Sequence, residues 1–206
     1  MAKSSLFSHT LAPLGGAVTS NESGTYALGV VVKPSVTGNL TSIWYYVGEN
    51  DLGTVPAKAH VYDYAYVGLF PQKDTPYITE EFFLRNTIGW QEIVLSSPVP
   101  ALVDTRYMIS VSFPSTGAYY TSVADVFTSD VVSGNLTAEA RATVHNGRFS
   151  SINSDTLRSQ YPMDNYSPAS YSVDVTFQPG WSSQSITHFL VTENGTLSPL
   201  DVTLLS

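Results

Sequence analysis

Between residues 88 and 113, apolar and polar side chains alternate in two runs that flank a proline-marked corner. In the first run Trp90, Glu92 and Val94 fall to one side, with Gln91, Ile93 and Leu95 to the other. In the second, Tyr107, Ile109, Val111 and Phe113 share a face opposite Met108, Ser110 and Ser112. A period of two belongs to a pleated strand with one face in a core and the other in water. The same alternation recurs along the chain, and nothing competes with it at helical spacing. An all-β protein is predicted.

Further strands are expected at 25–32, 40–47, 57–66, 79–84, 90–95 and 106–113, and then at 118–123, 128–132, 142–149 and 171–177. Turn chemistry falls at Lys33-Pro34, Thr37-Gly38-Asn39, 48–53, Phe70-Pro71, 97–100 and 114–117. Short strands with such frequent corners indicate an antiparallel β-sandwich of jelly-roll type. Residues 1–24 carry Pro13, Gly15, Gly16 and Gly24 among small polar residues, with Leu6, Phe7, Leu11 and Leu14 as isolated apolar points. This part is expected to be an N-terminal arm or linker holding at most one docking strand. The sandwich domain is then expected over 25–179, with a polar surface loop at 150–169. Gln178-Pro179-Gly180 marks a boundary, after which 180–206 forms a C-terminal tail. In that tail 186–191 and 200–205 flank Glu193-Asn194-Gly195, a good hairpin turn for docking or assembly. The chain has no internal repeat of about 20–50 residues, which argues against a propeller or solenoid.

Composition narrows the classes. The chain has 206 residues, enough for one sandwich, and 43% of them are hydrophobic, enough for its core. Only 13% are charged, so Ser, Thr, Asn and Gly must carry solubility, as in many extracellular or virion β-proteins. A formal net charge of −8 argues against nucleic acid as a partner, because phosphate binding needs a basic surface. It argues equally against an anionic membrane. With no Cys, disulfides, thiolate metal sites and thiol nucleophiles are excluded. The first residues have one early positive charge at Lys3 and no apolar run of signal-peptide length. No stretch approaches the roughly 20 apolar residues of a membrane span, so no membrane insertion is expected. Two origins fit: a piece of a larger secreted protein, or a protein assembled inside the cell, as a phage virion component is.

Candidate chemistry is sparse. His9, His60, His145 and His188 are scattered and lack ligand spacing, so exposed strand or loop positions are expected for them. Glu80 and Glu81 open a strand, where neighbours face opposite sides and make poor acid/base partners. Asp63, Asp125, Asp130 and Asp174 leave a structural calcium open as the one cofactor to consider. No catalytic residue, resident metal or enzyme activity is expected. Asn39-Leu-Thr, Asn135-Leu-Thr and Asn194-Gly-Thr match glycosylation acceptors, which carry little weight without an export signal.

Aromatic residues give the better lead. Along 43–47, alternation puts Ile43, Tyr45 and Val47 on one face, with Trp44 and Tyr46 on the other. Tyr62, Tyr64 and Tyr66 form a second file, and Tyr119-Tyr120 follow a glycine-containing loop. Flat rings stack on sugars and leave a hydroxyl free, so Trp44, Tyr46, Tyr119 and Tyr120 are the candidate glycan platform. The same rings could instead fill a core or a subunit interface, where Tyr and Trp are also enriched. Trp181 is expected to anchor the tail.

Several stretches taken together resemble a known family. They are Tyr26-Ala-Leu-Gly-Val-Val-Val-Lys-Pro, Val36-Thr-Gly-Asn-Leu-Thr-Ser-Ile-Trp-Tyr-Tyr-Val-Gly and Gly53-Thr-Val-Pro-Ala-Lys-Ala-His-Val-Tyr-Asp. To these are added Gly89-Trp-Gln-Glu-Ile-Val-Leu-Ser-Ser-Pro-Val, Thr105-Arg-Tyr-Met-Ile-Ser-Val, Gly117-Ala-Tyr and Asn165-Tyr-Ser-Pro-Ala-Ser-Tyr-Ser-Val-Asp-Val-Thr-Phe. Their order over residues 26–179 resembles an uncharacterised bacterial domain family. It occurs in secreted polysaccharide-associated proteins of actinobacteria and in virion proteins of actinobacterial phages. The resemblance implies a sandwich similar to carbohydrate-binding modules and supplies no catalytic residues. Trp44 stands where that family usually has a basic residue, and Ala118 where a His often precedes the aromatic.

The expected function is a non-enzymatic virion structural protein, in a minor tail, fibre or head-surface position, with a contribution to host adhesion. Its expected partners are other virion proteins, further copies of itself and a host cell-surface glycan. The alternative is a carbohydrate-binding module of an extracellular polysaccharide-associated protein.

Overall fold

This computed structural model describes residues 2–10, 12, 18–20, 24–51, 55–64, 66–67, 70–71, 75–140, 146–151, 162, 168–180, 188–191 and 197–200. In chain order the strands are β1 (Val18–Thr19), β2 (Gly24–Pro34), β3 (Gly38–Val47), β4 (Pro56–Asp63), β5 (Tyr66–Val67), β6 (Phe70–Pro71) and β7 (Ile78–Phe83). They continue as β8 (Gly89–Ala101), β9 (Tyr107–Ala118), β10 (Thr121–Ser122), β11 (Val131–Ser133), β12 (Leu136–Ala138) and β13 (Arg148–Ser151). Last come β14 (Val173–Pro179), β15 (His188–Val191) and β16 (Leu197–Leu200). The only helical turns among the described residues are 3-10 turns at Glu49–Asp51 and Val126–Thr128.

The fold is an antiparallel β-sandwich. Its larger sheet runs β11-β12-β2-β9-β4-β7, with β13 also paired to β2, and its smaller sheet runs β14-β3-β8. The chain crosses from β2 to β3 and back to β4, then from β7 to β8 and back to β9. This alternation between sheets is the jelly-roll habit. Inward-facing residues at every second position make the core: Leu28, Val30 and Val32 from β2, Ile109, Val111 and Phe113 from β9, Ile43, Tyr45 and Val47 from β3, and Val173, Val175 and Phe177 from β14.

Four features depart from the sequence expectation. The face of β9 opposite the core does not meet water, since Met108, Ser110 and Ser112 are all fully buried. On that outer side Val31, Tyr62, Tyr64 and Met108 make a second apolar cluster. Pro162 approaches it closely: a Cβ on Gly29 would lie 2.9 Å from the proline Cγ and 2.6 Å from the Ile109 carbonyl. The central strands of the large sheet are thus buried on both faces, the inner one lined mostly by aliphatics and the outer one by Ala27, Gly29, Ser110 and Ser112 beside the Val31, Tyr62 and Met108 cluster.

The proline-rich stretch 97–100 is not a corner. β8 runs on to Ala101, with Leu40 opposite Val99 and Ser42 opposite Val94, so residues 95–98 bulge out opposite Thr41. An edge strand tolerates both the bulge and its prolines. Likewise 114–117 stays within β9. Finally, the strands expected at 128–132 and 142–149 become the hairpin β11–β12, turning at Gly134-Asn135, together with β13. Gly134 has φ of +57°, a left-handed conformation that glycine adopts without strain.

The polar loop at 150–169, Tyr66, His145, Trp181 and Glu193-Asn194-Gly195 lie wholly or largely outside the described residues or side chains. In the tail, β15 pairs β16 antiparallel, from His188 opposite Leu200 to Val191 opposite Leu197.

Candidate functional site

The outer face of the small sheet gathers the most distinctive side chains. Because Ile43, Tyr45 and Val47 point into the core, Trp44 and Tyr46 must point away from it. Register then selects their neighbours: Trp44 stands opposite Glu92 on β8 and Asp174 on β14, and Tyr46 opposite Trp90. The Tyr46 and Trp90 rings meet edge to face with centroids 5.6 Å apart. The Trp44 indole N–H donates to Thr176 Oγ1 at 2.8 Å.

The N-terminal arm lies over this wall. Ser4 and Phe177 exchange two backbone hydrogen bonds, each 2.8 Å, which add the arm to the open edge of β14. Ser4 Oγ accepts the Asn135 N–H at 3.1 Å, tying the same point to the β11–β12 turn on the other sheet. The arm therefore spans the seam between sheets, and Leu6 drops through it into the main core. Further along, the His9 ring stacks on Trp44 at 3.9 Å and lies 5.0 Å from Trp90. Phe7 stacks on Trp90 from 6.3 Å.

Asp174 fixes this arrangement. Its side chain is wholly buried, a costly place for a carboxylate unless its oxygens are satisfied. They accept the N–H groups of Leu6 at 3.1 Å, Phe7 at 2.9 Å and Val175 at 2.7 Å. His9 Nε2 adds a contact of 2.9 Å. A carboxylate that binds consecutive backbone N–H groups fixes the path of the arm as well as its position.

The four platform candidates do not form one surface. Trp44 and Tyr46 sit together on the outer wall, joined by Trp90 and His9. Tyr120 packs edge-on against Tyr26 and Tyr171, at the margin of the core. Tyr119 is half-buried, and its carbonyl accepts the Tyr45 hydroxyl at 3.3 Å. Tyr62 and Tyr64 belong to the second apolar cluster, with the Arg148 guanidinium 6.0 Å from the Tyr64 ring centre.

The histidine expectation needs correction. His60 is fully buried, its Nδ1 3.0 Å from Thr79 Oγ1 and its Nε2 2.9 Å from Ser112 Oγ. It sits on the outer side of β4, whose neighbours there are hydroxyl-bearing and which is itself covered. His9, on the arm itself, is half-buried against Trp44 rather than exposed.

The acidic residues serve separate tasks. Glu80 accepts the Ser96 N–H, Glu81 approaches Lys58 at 3.8 Å, Asp63 accepts the Tyr77 hydroxyl and Asp130 caps the Ala140 N–H. Asp125 takes a left-handed backbone and its carbonyl accepts the Thr128 N–H. Among the described residues, no three His, Asp or Glu side chains converge as a metal set. On the large sheet Glu139 binds Lys33 and Arg106, the latter through Nε at 2.7 Å. Burial works against its charge, but hydrogen bonds and charge from Lys33 and Arg106 outweigh burial and hold the Glu139 carboxyl below the usual glutamate range. Burial pushes the Tyr107 phenol upward, opposed by the hydrogen bond its oxygen accepts from Leu102 N–H.

Fold and face together define a jelly-roll-like sandwich whose small sheet carries an aromatic outer wall under an N-terminal strap. The chain belongs to DUF4082, a family described as a domain of unknown function, which it matches over residues 13–173. The docked arm residues Ser4 to His9 and Asp174 lie just outside that match. No curated protein matches the chain. Among the described residues, no helix is long and apolar enough to cross a membrane.

Proposed function

We propose that this chain is a non-enzymatic structural component of a phage virion, in a minor tail, fibre or head-surface position, that also contributes to host adhesion. The observation supporting it is the set of exposed apolar side chains on β7 and β8, the edge strands of the two sheets. Phe83 on β7 is 63% exposed and Val94 on β8 is 69% exposed, and Ile88 between them in sequence is also exposed. Burying such residues against sister subunits or other virion proteins is how an assembling domain covers surface it cannot cover alone. The actinobacterial phage setting belongs to this proposal through the resemblance of the sequence. Sedimentation of the purified chain over a range of concentrations should show self-association, and antibodies should label particles. A monomer at every concentration, absent from particles, removes the reading.

The aromatic wall favours a second reading, a carbohydrate-binding module of an extracellular polysaccharide-associated protein. Trp44, Tyr46 and Trp90 offer half-buried rings on a three-stranded sheet, and the exposed Glu92 accepts the Ser42 hydroxyl beside them. Titration with host-wall glycan fragments should change tryptophan emission, and Trp90→Ala should abolish that change. No response across a broad glycan panel would exclude it.

A further inference from the structure

We propose that the cleft holding the arm, formed by the β14 edge, Asp174, Trp44 and Trp90, also receives the arm of a second copy, so that copies link by exchanging residues 2–10. The choice of a second copy rests on the assembly reading above, whereas the receptor is defined by its own contacts.

Every anchor of the arm lies far away in sequence. Ser4 binds Phe177 and Asn135, Leu6 and Phe7 bind Asp174, and His9 stacks on Trp44. None of these partners depends on which copy supplies the arm. The receptor also demands an occupant. Without an arm, the fully buried Asp174 would lose three of its four donors, and the core would open where Leu6 enters. An exchanged arm keeps all these contacts and alters only the connecting path, which makes such swaps a low-cost route to assembly. The sequence of that connection includes Pro13, Gly15 and Gly16. Strand addition at an open sheet edge is, moreover, a general mode of peptide recognition. Here the edge is β14, and Leu6, Phe7 and His9 supply the specificity.

The chain has no Cys, so a single introduced thiol reports cleanly. Ser4 and Phe177 donate to one another, so the antiparallel register places Lys3 beside Gln178 as the flanking pair that is not hydrogen-bonded. Such pairs have Cα atoms roughly 4.5 Å apart, within disulfide reach. Both side chains are exposed. Full-length Lys3→Cys and Gln178→Cys chains are mixed, co-refolded at high concentration and oxidised. Exchange predicts disulfide dimers joining unlike chains in more than about tenfold excess over like pairs, because docking brings those two thiols together at millimolar effective concentration. Oligomers that give no unlike cross-link, while a Lys3→Cys/Gln178→Cys double variant closes on itself, would overturn the exchange and leave the assembly reading standing. Chains that remain monomeric and close only on themselves would overturn both.

Discussion

Leu6→Ala tests whether the arm is part of the folded core. Leu6 is 6% exposed and packs in the main cluster despite its place near the chain start. Removing its three outer carbons forfeits about 2.4 kcal/mol at roughly 0.8 kcal/mol per buried methylene. The cavity left behind widens the range for such substitutions to about 2–5 kcal/mol. A limit applies, because a strap can detach without the sandwich unfolding, and the loss cannot then exceed the free energy of docking. Asp174→Asn perturbs the same contact by another route. It removes the charge facing His9 and turns an amide donor toward N–H groups that need acceptors, at a cost of about 1–3 kcal/mol. If both act through docking, the double variant should lose little more than the worse single variant. Urea titration followed by tryptophan emission gives the stability, and Trp44 and Trp90 beneath the arm register detachment before global unfolding. A Leu6→Ala loss below about 0.5 kcal/mol, the range of ordinary surface changes, would refute the plug, and strict additivity would refute the shared mechanism.

Gly29→Ala should destabilise by about 1–3 kcal/mol through overpacking, since its Cβ would meet the Ile109 carbonyl at 2.6 Å, Pro162 at 2.9 Å and Met108 sulfur at 3.0 Å; an unchanged melting temperature would show that the second layer yields freely. Glu139 has a lowered folded pKa, so its contribution is present above the unfolded value near 4.5 and is lost as pH falls through the lower folded value. Glu139→Gln should flatten that part of the acid limb in urea midpoints taken from neutral pH downward, and an identical limb in both proteins would contradict the assignment. Tyr107 has a raised folded pKa, so its contribution is complete below 10.0 and is lost as pH rises through the folded value. Tyr107→Phe should cost about 0.5–1.5 kcal/mol at neutral pH through the orphaned Leu102 N–H, and the gap from the parent should narrow under alkaline conditions; a constant gap would count against burial as the cause.

The alternation of Gln91-Ile93-Leu95 and Tyr107-Ile109-Val111-Phe113 was enough to place both sheets, because inward residues in a sandwich must repeat at period two. It was silent on what covers the other face. Met108, Ser110 and Ser112 look like a solvent face, and only the second layer distinguishes them from one. Pro98 and Pro100 suggested a corner because local rules weigh proline heavily, whereas an edge strand accommodates them in a bulge. On the wall, Trp44 and Tyr46 were legible as one face of β3. Trp90 could be added only through register, which depends on how β8 pairs with β3. His9 and Asp174 were beyond local reading, since their meeting joins residues 165 positions apart. The scattered apolar points Leu6 and Phe7 were the one hint that the arm docks.

The two sheets thus divide the labour differently. In the large sheet the central strands are buried on both sides, so their Ser and His side chains satisfy each other instead of meeting a ligand. In the small sheet the outer face keeps half-buried rings, and part of it is occupied by the arm, which the buried Asp174 carboxylate holds together with the Ser4 and Leu6 contacts. Any partner that stacks on Trp44 must share or displace His9, because the two rings already lie in contact at 3.9 Å. The Tyr46 and Trp90 end of the wall is less constrained, since the arm reaches Trp90 only through tilted or distant ring contacts. A ligand stacking on this wall would therefore compete with arm docking at Trp44 and could coexist with it at Tyr46. Binding that responds to Trp90→Ala while leaving arm docking intact would place the ligand at the Tyr46 end, and binding gained by His9→Ala would place it on Trp44.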